Sequence, residues 1–271
     1  MIKARCPNCK KPLLLNGKSL VCESGHSFDI SSDGYTNLLL SNMKNSKNPG
    51  DNSLMVRARF DFLNKGYYDF LSKAITEIVL SFNLKNITLL DAGCGSGYYL
   101  QNLIKYASNI DADGVDISKE AVKLASRRDK TSNYYVSSVF DLPYSDDVFD
   151  VIMCVFSPYA FSEYKRILKP NGKLIVVYPA EKHLIEIKKT LYGDCAFENN
   201  KEIESVFFNK ESHNEIKKVI EFKDNIDLIE LVKMTPYFYT TEAEGIKKLN
   251  DIEKLNLTCS FYIDVFSVKK C

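Results

Sequence analysis

The segment Asp91-Ala92-Gly93-Cys94-Gly95-Ser96-Gly97 follows directly on the apolar run Ile87-Thr88-Leu89-Leu90, and no other stretch limits the fold so tightly. A short β-prone run, then alternate glycines, then a helical pattern is how an α/β protein makes room for a nucleotide-like ligand at a strand end. Gly93 permits a tight turn, Gly95 lets backbone approach the ligand, and Gly97 opens the helix. A second strand, Gly114-Val115-Asp116-Ile117, ends in a carboxylate 25 residues beyond Asp91. An acid at that point can accept both hydroxyls of a ribose.

The spacing is G-x-G-x-G rather than the G-x-G-x-x-G of dinucleotide sites, and no Lys-Ser or Lys-Thr follows to cradle phosphate. The D-x-G-x-G-x-G pattern resembles the S-adenosylmethionine site of class I methyltransferases, a ligand with an adenosine and an amino acid but no phosphate. Asp91, Gly93, Cys94, Gly95, Gly97, Tyr98, Asp116 and Ile117 are the cofactor contacts this implies. The rest of the body alternates strand and helix. Strands are expected at 87–91, up to Asp116, 134–138, 148–156 and 173–177, with a last, antiparallel strand at 258–268 on the sheet end. Helices are expected at 97–108, up to Arg128 with Ser118 as cap, up to Leu168, and at 181–192. Residues 195–250 suggest a strand pair with helices around Met234-Thr235-Pro236-Tyr237. The alternation predicts a doubly wound, Rossmann-like sheet.

Ahead of this body, Cys6-Pro7-Asn8-Cys9 is followed by Cys22 and His26, a C-x2-C-x12-C-x3-H spacing. Two cysteines in a tight turn grip one ion, Asn16-Gly17 turns a short hairpin, and the second pair returns to the same ion. Cys6, Cys9, Cys22 and His26 leave no open position, which predicts structural tetrahedral zinc. A redox C-x-x-C would leave Cys22 and His26 unexplained. The module is too small to bury much core, so the metal is expected to stabilise it. Between module and body, Asp51 is the expected N-cap of a helix over 53–64 stopped by Gly66, with a second helix over 69–81. Three units follow: a zinc-binding module (1–40), a basic linker with helices (41–84) and a methyltransferase domain (85–271).

Net charge is only +1, but residues 1–80 carry +4 and the remainder −3, an imbalance that favours a polyanion at the N-terminal end. No apolar run reaches the ~18 residues of a membrane span, and no secretory signal opens the chain. With eight unevenly spaced cysteines, a reduced, cytoplasmic setting without membrane attachment is expected.

The C-P-x-C, the C-x3-H followed by Phe28-Asp29, Gly34-Tyr35-Thr36-Asn37-Leu38-Leu39, Pro49-Gly50-Asp51 before a helix with M-x-x-A-R, and the following G-x-Y together resemble one family. It is the bacterial 23S ribosomal RNA guanine-N1 methyltransferase family of RlmA type, which includes macrolide-resistance members. The resemblance spans essentially the whole chain. It implies transfer of a methyl group from S-adenosylmethionine to ring N1 of a guanine in a 23S rRNA hairpin, and a homodimer. It also implies that Tyr68 packs near the cofactor, that Ser138 and the Val139 backbone contact adenine, and that His183 is a cofactor or active-site residue, the one candidate for a catalytic role. Lys44, Lys47, Arg57 and Arg59 are the expected RNA phosphate contacts. Phe156-Ser157-Pro158-Tyr159, in place of Asn-Pro-Pro-Tyr, argues against methylation of an adenine amino group. Two rivals share the cofactor motifs: a small-molecule methyltransferase, which has little use for a zinc module, and a non-catalytic RNA-binding protein, against which the intact glycines and Asp116 speak.

Overall fold

The structure is a computed structural model that describes residues 2–41, 50–107, 109–192, 202–222, 225–235, 238, 241, 243–252 and 254–269. Along the chain run β1 (Leu14–Asn16), β2 (Ser19–Val21), β3 (Ser27–Asp29), β4 (Tyr35–Asn37), α1 (Ser53–Asn64), α2 (Asp69–Ser81), β5 (Ile87–Ala92), α3 (Tyr98–Tyr106), β6 (Ile110–Asp116), α4 (Lys119–Arg128), β7 (Asn133–Val136), β8 (Phe149–Val155), α5 (Phe161–Ile167), β9 (Leu168–Pro179), α6 (Ile185–Tyr192), β10 (Phe208–Phe222), α7 (Asn225–Lys233), α8 (Ala243–Asn250) and β11 (Leu255–Val268).

Strands β1, β2 and β3 make a small antiparallel sheet, and the other eight form one large sheet in the order β10-β11-β9-β8-β5-β6-β7-β4. Its centre is parallel, from β7 through β6, β5 and β8 to β9, while β11 and β10 are antiparallel. This is the class I, Rossmann-like methyltransferase arrangement: β5 sits mid-sheet with helices on both faces, and the switch between β5 and β8 opens a crevice above their carboxyl ends. β5 is buried along nearly its whole length, as a parallel strand covered on both faces must be.

Local chemistry sets the boundaries. Asn52, not Asp51, caps α1: its side chain accepts the Met55 N–H at 2.9 Å. Asp51 is instead drawn to Arg59. Gly66, at φ +78°, follows the end of α1 and supplies the left-handed stop that a helix C-terminus favours. Ser118 caps α4, accepting the Ala121 N–H at 3.4 Å. α6 begins at Ile185 rather than near His183 because Leu184 sits at φ +53°, outside the helical region.

The expected last strand is longer, Leu255–Val268, and it is not the outermost. β10 pairs with it from Phe208 to Phe222 and takes the edge. β10 escapes a pattern reading because its solvent face holds His213, Glu215, Lys217 and Glu221. Charged side chains are what an edge strand carries to discourage further pairing, although they are poor strand signals.

The N-terminal module is built into the body. β4 leaves it to pair with β7, and Ala4 bridges Tyr144. Cys6, Leu13 and Leu20 share an apolar cluster with Leu90, Tyr135 and Phe149. Lys3 reaches Asp111 at 2.7 Å and the buried Asp113 at 2.8 Å. The opposite face of the sheet packs on α1, α2, α3, α6 and α7. Among the described residues no helix is long and apolar enough to cross a membrane.

Candidate functional site

Two sites stand out, one closed and one open. In the first, Cys6, Cys9, Cys22 and His26 place their ligand atoms within 4.8 Å of one another. Cys6 Sγ is 3.5 Å and Cys22 Sγ 3.4 Å from His26 Nδ1, and Cys9 Sγ is 3.6 Å from Cys22 Sγ. Zinc bonds of about 2.0–2.3 Å at tetrahedral angles give ligand separations of about 3.5–3.8 Å, close to these three spacings. The Lys10 N–H, bonded to the Cys6 carbonyl at 2.8 Å, closes the first ligand turn, and Gly25, bonded to the Cys22 carbonyl at 2.9 Å, closes the second.

The second site is a cavity of about 360 Å³ over the carboxyl ends of β5, β6 and β8. Its floor is the glycine loop. Gly93 and Cys94 both donate their N–H to the Val115 carbonyl, at 2.8 and 2.9 Å, which pins the loop to β6. Gly93 adopts φ +82°, and a Cβ there would sit 2.0 Å from Ser157 Oγ, so the β5 and β8 loops touch only because the side chain is absent. Gly97 has a different job. It does not line the cavity, and a Cβ on it would meet Ala125 Cβ at 2.9 Å, so it sets how closely α3 starts against α4.

Asp116 lines the cavity with each oxygen already holding one backbone donor, Gly95 N–H at 2.9 Å and Ser118 N–H at 2.8 Å. Burial pushes its pKa up, and those two N–H groups oppose the shift. The carboxylate is thereby oriented with lone pairs left for a diol. Asp91 lies beneath, 1% exposed, with Oδ2 lacking any partner. Burial, reinforced by the Asp116 charge, raises its pKa to about 7.

Ser96 and Tyr99 line the same cavity, and their hydroxyls are likewise buried without a hydrogen-bond partner. Orphaned buried polar groups cost about 1–3 kcal/mol each. Their concentration around one cavity matches a ligand with hydroxyl, amine and carboxylate groups, and the residues present fit S-adenosylmethionine. Ile117, Ser138, Val139 and Phe140 form the wall beside Asp116, and Phe156, Ser157 and Pro158 the wall beside Gly93.

Of the residues expected at the cofactor, Tyr68, Gly93, Cys94, Gly95, Tyr98, Asp116, Ile117, Ser138 and Val139 meet at this cavity. His183 does not. It is 6% exposed and packs on Phe261, ring centres 4.5 Å apart and planes tilted by 46°. Phe261 contacts the cavity residues Tyr68 and Phe156, at 5.1 and 5.2 Å, so His183 stands one side chain behind the wall. Its Nδ1 accepts the Ser260 N–H at 3.3 Å, and burial, with the Lys188 charge, pulls its pKa down to about 3. A ring so disposed to stay neutral, with its basic nitrogen engaged, is poorly suited to serve as a base.

Arg57 is exposed and pairs with Asp61 at 2.9 Å. Arg59, expected at the RNA surface, instead lines the cavity, bonded to Asp51 and to the Met234 carbonyl. Lys44 and Lys47 lie outside the described residues. Sequence reasoning missed Tyr99, Phe140, Ser157 and the Gly50-Asp51 rim, which arrive from four separate segments. The P-G-D turn before α1 was the one signal that could have found the rim.

Comparison with known proteins follows this geometry. A family model described as "Methyltransferase domain" matches residues 83–227, and a zinc-ribbon model described as "RlmA, N-terminal" matches residues 4–47. The chain is 31% identical over 266 residues to YxjB of Bacillus subtilis (strain 168), provisionally named a 23S rRNA (guanine-N1)-methyltransferase, covering 94% of this chain and 93% of that one. It is 33% identical over 190 residues to the 23S rRNA (guanine(748)-N(1))-methyltransferase of Streptomyces fradiae, covering 69% of this chain and 67% of that one.

Proposed function

This chain belongs to the 23S rRNA (guanine-N1)-methyltransferase family, and from that premise we propose that it methylates ring N1 of a guanine in a hairpin loop of large-subunit ribosomal RNA. The observation that carries the reading is the fusion of a zinc ribbon to the sheet edge beside an adenosylmethionine cavity. A small-molecule methyltransferase needs only the cavity. The ribbon, with Lys10, Lys11 and Lys18 around its hairpin, supplies a surface suited to a phosphate backbone.

S-adenosylmethionine, when bound, supplies an activated methyl on a sulfonium. Transfer of that methyl to guanine N1 would leave S-adenosylhomocysteine, with the N1 proton passing to water. The protein's part is positioning. Asp116 holds the ribose, Ser138 and the Val139 backbone hold adenine, Gly93 and Gly95 let the loop come close, and Tyr68 packs near the sulfonium. A loop guanine suits the site because an unpaired base is extruded at low cost. Exposed Arg57, together with Lys44 and Lys47, contacts RNA phosphate; the enzyme works in the cytoplasm as a homodimer.

The test is methyl transfer from labelled adenosylmethionine to unmodified 23S rRNA, with mass spectrometry of the digested nucleosides. The expected product is 1-methylguanosine confined to large-subunit RNA. Transfer to a metabolite, with none to RNA or to ribosomal particles, would overturn the reading.

A further inference from the structure

The cavity holds an asymmetry of charge that the ribose and adenine contacts do not use. Its described lining includes two carboxylates, Asp51 and Asp116, with Asp91 beneath, against a single cation, Arg59. Arg59 is held in place from two sides. One terminal nitrogen bonds Asp51 Oδ2, and the other donates to the Met234 carbonyl at 3.1 Å, just beyond the end of α7. A guanidinium has five N–H donors in a rigid fork, so these two contacts fix its plane and leave donors unspent. The side chain keeps 35% of its surface. It shares the cavity lining with Asp116 and Tyr99, and its charge is felt by both.

Adenosylmethionine has one anionic group, the carboxylate of its methionine arm. Asp51 and Asp116, which line the cavity, repel it. Taken into a half-buried cavity without a cation, it would lose its hydration for nothing in return. Resting on the cofactor reading above, we propose that Arg59 is the subsite for that carboxylate, and not a contact to RNA phosphate. α1 thus contributes one wall of a site whose floor is the strand ends of the large sheet. Asp51 and Met234 are positioning groups that aim the guanidinium.

The experiment is isothermal titration of wild type, Arg59→Ala and Arg59→Lys with S-adenosylhomocysteine and with 5′-methylthioadenosine, which keeps the adenosine and sulfur but lacks the amino-acid carboxylate. A charge-assisted contact predicts that Arg59→Ala weakens S-adenosylhomocysteine by about ten- to a hundredfold. Methylthioadenosine should change by less than about threefold, and Arg59→Lys should fall between. Unchanged S-adenosylhomocysteine affinity in Arg59→Ala would overturn the assignment. Equal loss for both ligands would overturn it too, marking Arg59 as a brace for α1. Failure of the wild-type chain to bind either ligand would instead sink the cofactor reading itself. In filter binding, an Arg59→Ala salt dependence for RNA equal to wild type is expected, and a slope reduced by about one would return Arg59 to the phosphate backbone.

Discussion

The zinc ribbon and the cofactor cavity bind their ligands by opposite means. The ribbon's site consists of side chains from two short turns, converging within 4.8 Å and closed by backbone hydrogen bonds. The cavity consists largely of what is missing: a glycine whose Cβ would strike Ser157, carboxylates with spare lone pairs, hydroxyls without partners. The first site stabilises the fold when filled. The second carries polar groups that are unfavourably buried until filled. A metal site of this kind acts on stability, and a cavity of this kind acts on affinity.

The largest effect expected from that contrast is on the ribbon. Cys9→Ser, or removal of zinc by a chelator, should cost on the order of 5 kcal/mol or more, because metal binding and folding are one event in so small a module. Differential scanning calorimetry reads it as a lower melting temperature, and a transition unmoved by chelation breaks the contrast. Next comes Gly93→Ala, at about 2–4 kcal/mol from left-handed backbone and collision with Ser157. It should abolish measurable adenosylmethionine binding in calorimetry while zinc content by elemental analysis stays at one per chain.

A pH effect of intermediate size follows from Asp91. Its folded pKa, about 7, lies above the ordinary carboxylate range because of burial and the Asp116 charge. Between about pH 4 and 7 the folded, ligand-free chain therefore holds a proton that the unfolded chain has lost, and stability falls as pH rises through that window. A bound cation favours the ionised form. Adenosylmethionine should accordingly bind about tenfold more weakly at pH 6 than at pH 8, and its thermal stabilisation should grow with pH. Asp91→Asn should flatten the profile, and an unaltered slope in that variant would assign the proton elsewhere. The smallest effect is at His183. His183→Gln should change the methylation rate by less than about threefold, since glutamine can also accept the Ser260 N–H; a general base would show a loss of about a hundredfold or more.

The same contrast explains what could be read without coordinates. Cys6, Cys9, Cys22 and His26 are legible because each ligand pair is local and the ion's geometry dictates the spacing. The glycine loop and Asp116 are legible because strand, turn and carboxylate follow in order. Arg59 is not, since nothing in its neighbourhood tells that α1 folds over the β6 end and that Met234, 175 residues away, receives its hydrogen bond. His183 is hard to place for a related reason: one side chain, Phe261, stands between it and the cavity. The edge strand β10 was obscured by the charges that protect it.

β4 gives the architecture a practical meaning. The chain leaves the zinc ligands, pairs with Tyr134, Tyr135 and Val136 of β7, and bonds Leu38 N–H to the Val136 carbonyl at 3.0 Å. Two residues on, β7 becomes the Ser138-Val139 wall of the cavity, and Lys10 of the ribbon meets Asp141 of the same loop at 3.1 Å. The zinc ligands and this cavity wall are thus linked through one pair of hydrogen-bonded strands. Loss of the ion is therefore expected to loosen the Ser138-Val139 wall along with the ribbon.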